Sequence, residues 1–197
     1  MIRLAIVGDI GSGKSYVAKQ FGYPVFNADA EVAKLYRKSR KCYNKLKKTL
    51  PNYITSFPVK KIELSKAIIA NQQNLKKIVK IVHPEVRNRM NNFIEKNRSK
   101  KFVILDIPLL IENKLNKKND ILIFVDAKKK EINKRLKKRH NKIIKILKKF
   151  QLPLELKKRR SNFIIKNNFR NNSIKKNVKK VVEKILLKRT KIKNLLF

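Results

Sequence analysis

A chain of 197 residues, 42% of them hydrophobic, is long enough for one globular domain with a sizeable core and too apolar for general disorder. Lys and Arg number 53 against 13 Asp and Glu, but the lysines run along the whole chain with no basic arm or stripe. The Asn and Ile bias beside them fits AT-rich coding, so no specific nucleic-acid partner is expected. No apolar run approaches the roughly 18 residues of a membrane span, and the single Cys42 cannot form an internal disulfide, so a cytoplasmic protein is expected, with a monomer favoured.

Residues 2–7 form a short apolar run ending at Gly8, the pattern of a buried strand. A helix is predicted over 14–21, stopped near Gly22 and Pro24. A second strand follows over 25–27, and Asp29 stands where the next helix would be capped. Residues 30–97 read as mainly helical, with breaks expected at Pro51, over 53–59 and at His83-Pro84. Two β-branched runs, 102–105 and 121–125, end at Asp106 and Asp126. Residues 128–160 are helical and very basic, 163–165 suggest a fifth strand, and Ser173 is the expected cap of a last helix. That helix would carry Ile174, Val178, Val181, Val182 and Ile185 on one face.

Apolar strands separated by helices imply an α/β fold: a five-stranded parallel sheet covered on both faces, three layers in all. Ligands of such folds bind beyond the carboxyl ends of the strands, where Asp29, Asp106 and Asp126 fall.

Gly8-Asp9-Ile10-Gly11-Ser12-Gly13-Lys14-Ser15 matches G-x-x-x-x-G-K-[ST] between a predicted strand and a predicted helix. Three of the chain's four glycines lie in this loop, where backbone amides must wrap an anion. The nucleotide site is expected at Asp9, Ile10, Gly11, Ser12, Gly13, Lys14, Ser15 and Tyr16. Lys14 would reach the β- and γ-phosphates, and the Ser15 hydroxyl would ligate Mg²⁺. The plainer reading is a glycine turn followed by a surface lysine. No guanine-recognition motif and no long apolar strand ending in adjacent acids is present, which favours a small-molecule kinase over a GTPase or a motor.

Further segments share an order: N-A-D at 27–29, H-P at 83–84, D-I-P-L-L-I-E at 106–112, V-D at 125–126, R-L-K-K-R at 135–139 and K-N-N at 166–168. With the loop, these pieces resemble the dephospho-CoA kinase family from residue 1 to about 182. The resemblance implies a nucleotide-kinase-like P-loop core of 1–29, 99–127 and 161–190, a helical acceptor-binding insert over 30–98 and a lid over 128–160. It implies ATP and Mg²⁺ as donor and metal, and the ribose 3′-hydroxyl of dephospho-CoA as acceptor.

By the same resemblance Asp29 is the base toward that hydroxyl, acting with Lys14 and Arg139 in transfer. Its other reading, a helix cap, is compatible. His83 and Pro84 would contact the acceptor, or else form a structural turn. Asp106 would hold Mg²⁺ through water; Pro108, Leu109, Leu110 and Glu112 would line the acceptor cleft, or pack in the core. Arg135 and Arg139, one turn apart, would meet the ATP phosphates, and Asn167 and Asn168 would pack near adenine. Four positions depart from the family pattern: Asn27 and Lys166 replace acids, Lys157 replaces an arginine, and Asp9 puts a negative charge in the loop, expected to point outward. The alternatives are another nucleoside or nucleotide kinase and, further off, a nucleic-acid-stimulated NTPase.

Overall fold

The computed structural model describes residues 1–137 and 141–194; Arg139, expected on the lid, lies outside the described residues. Strands β1 (Ile2–Gly8), β2 (Val25–Asn27), β3 (Phe102–Asp106), β4 (Ile121–Asp126) and β5 (Phe163–Lys166) form one parallel sheet in the order β2-β3-β1-β4-β5. The expected fold class holds. Because β1 is central, with β3 on one side and β4 on the other, chain connections diverge at its carboxyl end, where such sheets open a ligand crevice. The register puts Ile6 beside Asp106 and Gly8 beside Val125.

The chain divides into two compact units. The first comprises Met1–Phe26, Ser99–Lys138 and Gln151–Phe197. Alternate residues Ile2, Leu4 and Ile6 of β1 face a buried cluster with Phe102, Ile104, Ile123, Val125 and Ile165. Helix α1 (Lys14–Gln20) adds Val17 and Ala18, and α9 (Asn171–Asn194) adds Ile174, Val178, Val181 and Ile185. The apolar face expected of the last helix is therefore the one that covers the sheet. That helix starts at Asn171, so Ser173 lies in its first turn rather than capping it.

The second unit holds α2 (Ala28–Lys38), α3 (Arg40–Thr49), α4 (Lys61–Ala70), α5 (Gln73–Lys96) and α7 (Asn141–Lys149). Asn27, not Asp29, caps α2: its Oδ1 accepts the Ala30 amide N–H at 2.7 Å. Asp29 instead occupies the first turn, where a carboxylate meets the positive end of the helix dipole. The break expected at His83-Pro84 does not occur; α5 runs through Pro84. Its buried stripe Ile78, Val82, Val86 and Met90 continues past the proline, which sits on the exposed face, so packing offsets the roughly 3 kcal/mol an interior proline costs. The basic region is divided into α6 (Lys129–Leu136), α7 and α8 (Leu154–Arg159).

Candidate active site

At the end of β1 the backbone takes positive φ at Gly8 (148°), Gly11 (86°) and Gly13 (87°), conformations that side chains oppose. Space enforces the same choice. A Cβ on Gly8 would lie 2.8 Å from the Val125 carbonyl oxygen, one on Gly11 would press on Leu136 and Ile132 of α6, and one on Gly13 would lie 2.4 Å from Asn167 Nδ2. The loop is thus enclosed by β4, α6 and the segment after β5, and its glycines are demanded by contact as well as by torsion.

Lys14, the first residue of α1, is buried, and its Nζ donates to the Asp9 carbonyl at 2.7 Å and the Gly8 carbonyl at 3.3 Å. The ammonium is folded across the loop's own carbonyls. Ser12 is fully buried and its Oγ has no hydrogen-bond partner among the described residues. Ser15 is exposed on the first turn of α1, and Tyr16 donates its hydroxyl to Asn171 Oδ1. Asp9 Oδ1 accepts the Ile10 amide N–H at 2.7 Å, so the carboxylate folds onto the loop backbone instead of simply pointing away. A buried cation, an orphan hydroxyl and a run of left-handed glycines at a helix N-terminus suit a polyphosphate.

Asp106 ends β3 and is 2% exposed. Asp126 ends β4 and meets Lys158 at 3.4 Å. Asn167, 3% exposed, donates through Nδ2 to the Ser12 carbonyl at 2.8 Å, while its own amide N–H donates to the Asp126 carbonyl at 2.7 Å. Asn168 is exposed and accepts the Arg170 amide N–H. The guanidinium of Arg135 lies 4.5 Å from the centroid of the Phe169 ring, and Phe169 carries a left-handed φ of 61°. Sequence reasoning did not single out Phe169; nothing in its type suggests that conformation.

A model of the dephospho-CoA kinase family matches residues 2–176. The chain belongs to the dephospho-CoA kinase family. A dephospho-CoA kinase of Bartonella quintana is 35% identical over 170 residues, covering 82% of this chain and 87% of the relative. One from the Wolbachia of Brugia malayi is 32% identical over 169 residues with the same coverage. A crystal structure of a Thermus thermophilus protein superposes with a TM-score of 0.74 at 28% identity, covering 94% of this chain and 97% of the other. The family relationship does not favour the nucleoside-kinase or the nucleic-acid-stimulated NTPase alternative.

Within this family member, the D-I-P-L-L-I-E segment divides by burial. Leu110 is 1% exposed and Leu109 is half-buried, so Leu110 packs in the core and offers no surface. Glu112 is engaged by the protein itself: Lys157 Nζ lies 2.6 Å from its Oε1, which also accepts the Leu152 amide N–H at 3.1 Å. Its placement favours a structural role over an acceptor contact. In the second unit, Asp29 is exposed, Pro84 is exposed and His83 is half-buried in α5. Burial, helped by the nearby Arg87 charge, lowers the His83 pKa and favours the neutral imidazole. Glu31, one turn into α2, is tied to Arg89 of α5 at 2.9 Å, which fixes the helix that carries Asp29.

Proposed function

We propose that this protein transfers the γ-phosphoryl group of ATP to the ribose 3′-hydroxyl of dephospho-CoA, giving coenzyme A and ADP. One observation carries the reading: a phosphate loop with the required backbone shape opens a chain whose residues 2–176 match the dephospho-CoA kinase family. Loop amides and the N-terminus of α1 hold the β-phosphate, and Lys14 neutralises charge that develops on the β- and γ-oxygens. Ser15, with Asp106 through water, would hold Mg²⁺, which would supply further charge neutralisation when bound.

Asp29 accepts the proton of the 3′-hydroxyl as its oxygen forms the new bond to phosphorus and the bond to the ADP oxygen breaks. His83 and Pro84 of α5 and the half-buried Leu109 contribute to holding the acceptor, and the 128–160 region acts as the lid that excludes water. Arg135 and Arg139 belong to that lid in this reading. A nucleotide kinase of this kind works in the cytoplasm.

The test uses purified protein, Mg-ATP and a panel of acceptors that includes dephospho-CoA, adenosine and nucleoside monophosphates. ADP release coupled to a product heavier by one phosphoryl group is expected with dephospho-CoA. Equal or greater transfer to a nucleoside would overturn the assignment.

A further inference from the structure

Of the atoms that a Cβ on the loop glycines would meet, the nearest belongs to Asn167, a residue that the family resemblance places near adenine instead. Its carboxamide is held at both ends. Nδ2 donates to the Ser12 carbonyl at 2.8 Å, and Oδ1 accepts the Phe169 amide N–H at 2.8 Å, so the two neighbours fix which end is nitrogen. The backbone of Asn167 is anchored as well, through its N–H to the Asp126 carbonyl at the end of β4. At 3% exposure the side chain has almost no surface left to offer a base.

The Ser12 carbonyl and the Gly13 N–H belong to one planar, trans peptide unit, in which the two bonds point in opposite directions. Pinning the Ser12 oxygen toward Asn167 therefore turns the Gly13 N–H away from it. The φ of 87° at Gly13 and the 2.4 Å that would separate a Gly13 Cβ from Asn167 Nδ2 show that backbone and strut have been fitted to each other.

We infer that Asn167 is a positioning residue for phosphate binding: from behind the loop it orients the Ser12–Gly13 peptide so that the Gly13 amide donates to the nucleotide's phosphates. The chemical class recognised is the polyphosphate itself, not the base. This rests on the nucleotide-binding half of the proposed function and is independent of which acceptor is used.

The test measures the affinity of ATP and of inorganic tripolyphosphate, which has no base, for wild-type protein, Asn167→Ala and Asn167→Asp by calorimetry. Losing one buried hydrogen bond of this kind corresponds to about a tenfold loss of affinity. Asn167→Ala should weaken ATP and tripolyphosphate by the same factor of about ten, and Asn167→Asp should weaken both further, because a carboxylate oxygen then faces the Ser12 carbonyl. KM for dephospho-CoA should change little, while the melting temperature should fall, because the buried Ser12 carbonyl loses its donor in both variants. A loss confined to ATP, with tripolyphosphate unaffected, or no loss for either, would overturn the inference.

If the variants do not fold, amide NMR of the wild-type protein decides. The Gly13 amide resonance should be among those that move on titration with tripolyphosphate, and a stationary Gly13 signal refutes the role. Wild-type protein that binds tripolyphosphate but leaves dephospho-CoA unphosphorylated would defeat the proposed function and leave this inference standing.

Discussion

The Lys157 ammonium lies 2.6 Å from the Glu112 carboxylate, with the two side chains 1% and 10% exposed. Such a pair returns little net stability over an apolar substitute, but losing one partner strands a buried charge at a cost of about 3–5 kcal/mol. Glu112→Gln should therefore lower the melting temperature clearly, and Lys157→Met added to it should recover much of the loss. If Glu112→Gln instead raised KM for dephospho-CoA with the melting temperature unchanged, Glu112 would belong to the acceptor site as the sequence suggested. Thermal melts and initial rates on wild type and the two variants separate the two.

Asp29 stands in the first turn of α2, and the cap it could have supplied comes from Asn27. Replacing Asp29 by Asn should thus leave the helix intact while removing the proposed proton acceptor. General-base assistance is worth about 10²–10⁴-fold, so kcat should fall by that order while ATP affinity stays near wild type. Single-turnover phosphoryl transfer and calorimetric ATP titration check the two halves. Turnover near wild type takes Asp29 out of the mechanism.

The same turn shows what could and could not be read from the chain. The phosphate loop was legible because its requirement is local: positive φ at Gly8, Gly11 and Gly13 and a lysine opening a helix leave a fixed spacing. The inner strands β1, β3 and β4 were legible because parallel strands buried on both faces are short, unbroken apolar runs. The choice between Asn27 and Asp29 as cap was not, since either side chain could accept an amide two or three residues further on and backbone torsions decide which residue ends the strand. Pro84 misled because a proline's effect depends on which face of the helix it occupies, a property of the fold. Glu112 and Lys157 are 45 residues apart and carry no pairwise signal. Asn167 was picked out by the resemblance for the adenine, but its contact to Ser12 spans 155 positions and leaves no trace in the local sequence.

Lys14 is the residue on which the loop's charge balance rests. Its ammonium is held by the Gly8 and Asp9 carbonyls, within the turn proposed to receive the phosphates, so it would need little reorganisation to meet them. Lys14→Ala should reduce kcat/KM with ATP by two or more orders of magnitude. Lys14→Arg should not restore it, because a planar guanidinium does not fit a buried point-charge position. Coupled assays of ADP formation test both; an active alanine variant would contradict the loop's assigned role.

Glu63 gives the stability of the helical unit a definite acid dependence. Burial alone would raise its pKa, but Oε1 accepts from the Thr55 and Ser56 amides and hydroxyls, and Oε2 from the Lys60 amide. Those bonds outweigh burial and hold the carboxyl at about 2, against an ordinary value of 4.5. With the folded value below the unfolded one, the unfolded chain binds more protons between them, so stability rises with pH across that window. The contribution, on the order of 3 kcal/mol, is fully present above about pH 4.5 and is lost as pH falls toward 2. In Glu63→Gln the Lys60 amide loses its acceptor and the titration vanishes. Wild type should therefore exceed the variant in urea-denaturation stability at pH 6, with the gap narrowing steadily toward pH 3. Subtracting the variant removes the parallel titration of other carboxylates, and a gap that does not depend on pH would show that Glu63 is not held ionised by this network.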